Sequence, residues 1–142
     1  AAVAVEAGGK IYVIGGATTV EGSKDPFFTF MGPAGVLSTN QVYDPATNTW
    51  AGKASMPEDQ IGAGGQAIGG KLYAVGGFEV LNALPRLVLQ VYNPATNTWT
   101  EKAHLLSPPR GFLSAAAANG VLYAIGGLNP PGVLKTNQAY YP

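Results

Sequence analysis

Short apolar runs recur along the chain, and each run ends at a pair of glycines. The runs cover residues 11–14, 72–75 and 121–125, and they end at Gly15 and Gly16, Gly76 and Gly77, and Gly126 and Gly127. Continuous apolar runs of this length are typical of strands that are covered on both faces. Paired glycines permit positive φ angles and the close approach of another backbone segment. The pattern therefore predicts a β protein with three equivalent buried strands.

A second recurring segment combines a tyrosine, a proline turn and a tryptophan. Residues 40–50 read Asn-Gln-Val-Tyr-Asp-Pro-Ala-Thr-Asn-Thr-Trp, residues 89–99 repeat them with two substitutions, and residues 137–140 begin them a third time. The steps from Gln41 to Gln90 and from Gln90 to Gln138 are 49 and 48 residues. Repetition at this period indicates stacked supersecondary units that bury their faces against one another.

Each repeat divides into four short strands. The first is rich in Ala, Gly and Ser, as in residues 62–68 and 111–118, which fits a strand crowded near an axis where the units converge. The second is the apolar run, the third contains the tyrosine, and a Pro-Ala-Thr-Asn turn leads to a fourth strand that begins at the tryptophan. We expect Tyr43 with Trp50, and Tyr92 with Trp99, to pack over the gap left by the glycine pairs. The sequence predicts eleven strands in units of four, four and three, because the third repeat stops before its tryptophan strand.

Composition and charge exclude several classes of site. The 142 residues include eight basic and eight acidic side chains, one histidine and no cysteine. Balanced charge favours neither nucleic acid nor an anionic membrane surface, and no stretch is long enough to span a membrane. Without cysteine there are no thiolate nucleophiles or thiolate metal sites, and His104 alone cannot form a histidine metal cluster. We therefore expect no metal and no cofactor.

The repeated residues together resemble the kelch motif over essentially the whole chain. The motif positions are Gly15, Gly16, Tyr43, Trp50, Gly76, Gly77, Tyr92, Trp99, Gly126, Gly127 and Tyr140. The resemblance implies an all-β fold of β-propeller blades, with blade one at about residues 1–56, blade two at about 57–107 and blade three at about 108–142 without its outermost strand. It does not imply one function, because kelch blades serve adaptors, actin binders, sugar-epimerising enzymes and copper oxidases.

The three repeats differ most in the loop that follows the glycine pair. This loop has 23 residues between Gly16 and Asn40, against 11 and nine in the later repeats. The long loop contains Phe27, Phe28, Phe30 and Met31. These side chains either cover the scaffold or form an exposed aromatic anchor for a partner.

The loops after the glycine pairs share one rim of the predicted array with the links between blades. Phe78, Glu79 and Arg86 fall on this rim, as do Glu58 and Asp59. The resemblance implies a binding face, because kelch adaptors commonly bind their partners on this rim. They often do so through arginines just before the innermost strand. Arg110 matches that position, whereas Gln60 stands there in the preceding repeat. Arg110 is therefore a candidate binding residue or a brace of the rim.

The residues on the rim are compatible with a binding module or with an enzyme. We prefer a non-catalytic scaffold or binding module that recognises protein or carbohydrate. A copper oxidase of the galactose oxidase type is excluded, because it needs a cysteine and several histidines. A carbohydrate-active enzyme of the bacterial kelch mutarotase type stays as the alternative, since Glu58, Asp59, Glu79, Arg86 and Arg110 all fall on the predicted rim.

Three blades form only an arc. Propellers close with about four to eight blades, and each blade buries its faces against two neighbours. We therefore expect either a homodimer that closes a six-bladed ring or further repeats in a longer parent chain.

Overall fold

The computed structural model describes residues 2–18, 35–79, 84–102 and 107–142. Within these ranges the chain is all-β, with thirteen strands and no helix. They are β1 (Val3–Ala7), β2 (Lys10–Ile14), β3 (Asn40–Asp44), β4 (Thr49–Lys53), β5 (Gly64–Ile68), β6 (Lys71–Val75), β7 (Leu89–Asn93), β8 (Thr98–Lys102), β9 (Ser114–Ala118), β10 (Val121–Ile125), β11 (Leu128–Asn129), β12 (Gly132–Val133) and β13 (Asn137–Tyr140).

The strands form antiparallel sheets that follow chain order. Two four-stranded sheets have the orders β1-β2-β3-β4 and β5-β6-β7-β8, and a three-stranded sheet has the order β9-β10-β13. We call these sheets blade one, blade two and blade three. The predicted all-β fold with four, four and three blade strands is confirmed.

One hairpin was not predicted. Strands β11 and β12 pair as a two-residue ladder after the third glycine pair, so the expected total of eleven strands is wrong by two. The segment Asn129-Pro130-Pro131-Gly132 makes the reversal, since proline presets φ and glycine ends the turn without a side chain. The hairpin belongs to the loop and leaves the blade order unchanged.

The innermost strands lie side by side, and their small residues are required there. A Cβ added to Gly65 on β5 would lie 2.0 Å from the Val3 Cγ1 atom on β1, and one added to Gly64 would lie 3.0 Å from the Leu113 Cδ1 atom that precedes β9. Only glycine allows the sheets to approach this closely. The expectation of a crowded inner edge is confirmed.

The hydrophobic core lies between the blades. One cluster joins Tyr12 and Ile14 of blade one to Leu72 and Tyr92 of blade two, and a second joins blade two to Leu122 of blade three. Strand β6 of the middle blade has four of its five residues buried, whereas β2 and β10 are buried on alternate residues only. A strand is thus buried on both faces only where it has a blade on each side.

The glycine pairs serve the links between blades rather than the aromatic rings. All six glycines have positive φ, from 65° to 110°. The Gly16 N–H donates to the Gln60 carbonyl at 3.2 Å, and a Cβ on Gly15 would lie 2.7 Å from that same oxygen. Tyr43 pairs in register with Ile11, at the opposite end of β2, so the expected packing of the rings over the glycine gap is wrong. The glycines make room for the incoming linker backbone.

Candidate functional site

The rim beside blade two is built from a short loop and the linker that enters β5. The two described parts of this loop, residues 77–79 and 84–88, are joined by hydrogen bonds: the Glu79 N–H donates to the Leu84 carbonyl at 3.1 Å and the Arg86 N–H donates to the Gly77 carbonyl at 2.8 Å. The Phe78 N–H donates to the Ile61 carbonyl at 2.9 Å and ties the loop to the linker. These bonds bring Arg86 next to the acidic residues of the linker.

Arg86 is the centre of a cluster of charged side chains. Its Nη1 atom donates to Glu58 Oε2, and its Nη2 atom lies 3.6 Å from Asp59 Oδ1 and 3.5 Å from Glu79 Oε2. All four side chains are partly exposed, with Arg86 the least exposed at 22%. Three carboxylates around one guanidinium leave a local excess of negative charge. Four of the five charged residues predicted on the rim therefore lie together.

A cleft opens beside this cluster. It has a volume of about 310 Å³, and its walls combine Glu58, Glu79, Arg86 and Glu101 with the apolar residues Leu84, Pro85, Leu87, Val88 and Pro109. Leu84 is largely exposed at its edge. The cleft can hold a group that has an apolar stem and a positively charged or hydrogen-bonding end.

Arg110 does not join the cluster, although its main chain reaches it. The Arg110 N–H donates to the Arg86 carbonyl at 3.3 Å, but the side chain is fully buried. Its guanidinium donates to Gln138 Oε1 at 2.7 Å and to the Ala124 carbonyl at 3.3 Å. Burial lowers the pKa of this guanidinium. These contacts favour the bracing role over the binding role.

Phe78 is also buried rather than presented to solvent. Its ring lies 5.3 Å from that of Phe112, and a Cβ on Gly111 would lie 2.3 Å from its Cδ2 atom. Phe78 therefore packs between blades two and three and does not line an open surface. The other predicted aromatic site, Phe27, Phe28, Phe30 and Met31, lies outside the described residues.

Two glutamines hold the linkers, and the sequence did not predict this role. Gln90 is buried; its Oε1 accepts from the Glu58 N–H and its Nε2 donates to the Glu58 carbonyl, both at 3.2 Å. Gln138 likewise accepts from the Ser107 N–H at 3.3 Å. Their spacing of one repeat was visible in the sequence, but a polar residue two positions before the tyrosine on a third strand gives no sign of a buried contact. Gln60, by contrast, is buried without a hydrogen-bond partner for either side-chain atom among the described residues.

Other kinds of site receive no support from the described residues. No group of three or more His, Asp or Glu side chains there could hold a metal ion. In the same ranges, no helix is long and apolar enough to cross a membrane. The chemistry available at the rim is therefore that of carboxylates and one guanidinium beside an apolar wall.

Comparison with known protein families agrees with the repeats and sheets. Two family profiles described as kelch motif match the chain, one over residues 1–57 and the other over residues 62–105. A comparison with the curated proteins found no match. The two matched segments contain blade one and blade two, and blade three repeats their glycine pair and tyrosine. The chain belongs to the kelch-repeat family.

Proposed function

We propose that the protein is a non-catalytic binding module that recognises a basic segment of a partner protein at the Arg86 cleft. The observation that carries the proposal is the charge at the cleft, where Glu58, Asp59 and Glu79 surround a single arginine and Glu101 lies on the wall. A lysine or arginine side chain fits this surface, because its methylene stem can lie on Leu84 and Leu87 while its charge meets the carboxylates. Kelch repeats are suited to such a role, since their rim loops vary on a constant scaffold.

A peptide array tests this function. We expect the intact protein to bind lysine- or arginine-containing peptides, and we expect Glu58→Gln and Glu79→Gln each to weaken that binding severalfold. Glu6→Gln is the matched control, since Glu6 lies on β1 of blade one and its Oε1 accepts a local bond from the Gly9 N–H. Binding that ignores the charge of the peptide, or that the control weakens equally, would count against the proposal.

The alternative function is a carbohydrate-active enzyme of the mutarotase type. It is favoured by the carboxylates that converge on a cleft large enough for a sugar ring. It is weakened by the ion pairs, because Arg86 contacts all three of the nearest carboxylates. NMR measurement of sugar anomerisation with the intact protein separates the two classes: acceleration that is lost in Glu79→Gln would establish the enzyme.

The aromatic anchor in the long loop remains a separate prediction. Replacing Phe27, Phe28 and Phe30 together by Ser should abolish partner binding while the β-sheet circular dichroism is retained. Unfolding of the triple variant would instead assign the rings to the core.

We also propose that the open ends of the arc are covered, either by a second copy or by further repeats. The support comes from equivalent positions: Ile11 is 38% exposed and Ile125 is 44% exposed, whereas Leu72 and Val75 of the middle blade are fully buried. Light scattering tests the dimer. A mass of 14.6 kDa at every concentration would exclude it, and twice that mass would support it.

A further inference from the structure

We propose that Asn48 and Trp50, together with Gln41, form a clamp on blade one for the main chain of a kelch inter-blade linker that enters β1. This inference rests on the proposal that the open ends of the arc are covered and is independent of the proposed rim function. The ligand class is an extended polypeptide in which a residue with a small side chain offers both its N–H and its carbonyl group.

Blade two contains the same clamp with its ligand bound. Asn97 Oδ1 accepts from the Ala54 N–H at 2.9 Å, and Trp99 Nε1 donates to the Ala54 carbonyl at 2.7 Å. Glu58 lies four residues after Ala54 in the same linker, and the Gln90 side chain binds both its N–H and its carbonyl. Three side chains of blade two thus hold the segment that arrives from blade one.

Blade one has the same side chains in the same local geometry. Asn48 has a φ of 55° and Asn97 one of 54°. The Tyr43 hydroxyl donates to Asn48 Oδ1 at 2.9 Å, as the Tyr92 hydroxyl donates to Asn97 Oδ1 at 2.7 Å. Each tyrosine ring lies 5.1 Å from the tryptophan ring of its own blade. The clamp on blade one is therefore already formed.

This clamp has no ligand among the described residues. Trp50 is 59% exposed, whereas Trp99 is partly buried, and Gln41 is exposed, whereas Gln90 is fully buried. The neighbouring Ile11 is exposed at the position where Leu72 is covered by blade one. The exposed indole N–H and amide group therefore stand next to an apolar surface that a further blade would cover.

The chemistry of the clamp selects a linker rather than a charged ligand. An indole N–H donor and an amide acceptor match the carbonyl and N–H of one residue, and neither group carries a charge to attract an ion. The linkers of a second copy are engaged in their own blades, at Ala54 and Glu58 and again at Ser107. We therefore assign the clamp to a linker that runs directly into β1.

A graft tests this assignment in the full chain. A copy of residues 53–62 replaces Ala1, so that the last copied residue stands directly before Ala2. This matches blade two, where Gly62 stands directly before Ala63. The two positions are equivalent because Val3 pairs with Ile14 as Gly64 pairs with Val75. The readout is the hydrogen-exchange rate of the Trp50 indole N–H by NMR, assigned with Trp50→Phe. Trp99, whose indole N–H is already bonded, reports in the same sample that the chain is folded.

We expect the graft to slow exchange of the Trp50 indole N–H by roughly tenfold, the effect of one additional hydrogen bond. The slowing should be reduced when the grafted copy carries Ala54→Pro, which removes the N–H, and likewise by Asn48→Gly, which keeps the turn but removes the acceptor of that N–H. An unchanged rate, or equal slowing with the proline graft, would overturn the proposal. Protection of Trp50 in the ungrafted chain together with a doubled mass would also overturn it, because the occupant would then be a second copy.

Discussion

Replacing Trp99 by Phe should destabilise the protein, and replacing Trp50 by Phe should do so much less. Both substitutions shrink a ring that packs, tilted, against a tyrosine at a centroid distance of 5.1 Å, so the loss of this ring contact is common to the two variants. Only Trp99 donates a hydrogen bond, from its Nε1 atom to the Ala54 carbonyl at 2.7 Å. The difference between the variants therefore reports the bond between blades one and two together with the greater burial of Trp99.

The size of the difference follows from the atoms left behind. A neutral hydrogen bond contributes about 1 kcal/mol net, and a buried acceptor left without a donor costs more. The Ala54 carbonyl keeps a longer contact with Asn40 Nδ2, at 3.4 Å, which limits the loss. We expect Trp99→Phe to lower the free energy of unfolding by about 1 kcal/mol more than Trp50→Phe, or the melting temperature by about 3 °C more.

Urea unfolding followed by far-ultraviolet circular dichroism measures the difference without relying on tryptophan fluorescence. Hydrogen exchange at the Ala54 amide gives a local readout, since this linker N–H donates to Asn97 Oδ1 in the turn between β7 and β8. Exchange there should accelerate in Trp99→Phe and not in Trp50→Phe. Equal midpoints for the two variants, with equal exchange at Ala54, would refute the assignment of this bond to the interface.

Three further predictions concern the inner edge, a buried amide and an ion pair. Gly65→Ala should cost roughly 1–3 kcal/mol in urea unfolding, because its Cβ would overlap the inner strand of blade one, whereas Gly52→Ala, with open space around its Cβ, should be neutral. Gln60→Met should raise the unfolding midpoint, because both polar atoms of this buried side chain lack partners among the described residues. The hydrogen bond from Lys10 holds the pKa of Asp44 below its usual value of 3.8. Their pair therefore contributes stability above pH 3.8 and loses it as the pH falls through the lowered pKa. The difference in free energy of unfolding between Lys10→Met and the parent should accordingly vanish in acid.

The repeat made most of the architecture predictable. The tyrosine recurs in all three repeats and the turn and tryptophan in the first two, and the apolar runs with their glycine pairs located the second strand of each of three units. The hairpin at residues 128–133 was missed because two-residue strands carry no periodic pattern. The rings of Tyr43 and Trp50 were wrongly expected to pack over the glycine pair. Strand register decides which end of β2 they face, and register is not visible in composition.

The candidate site was predictable only as a set of residues on one rim. Chain order showed that the loop after the second strand and the linker share a face, which brought Arg86 together with Glu58, Asp59 and Glu79. It could not show that Arg110 turns inward. That direction depends on the Ala124 carbonyl and on Gln138, which come from strands 14 and 28 residues further along the chain.

By itself the sequence determined the period, the strands and the two faces of each strand, because these depend on local patterns of small, apolar and turn-forming residues. The tertiary structure decided which of those faces is covered. Ile11 and Ile14 lie on opposite faces of β2 and are equally hydrophobic, yet Ile14 is buried by blade two while Ile11 is exposed. The physical reason is that burial of a strand face is set by the neighbouring blade, and a neighbour is a property of the assembled array rather than of the segment.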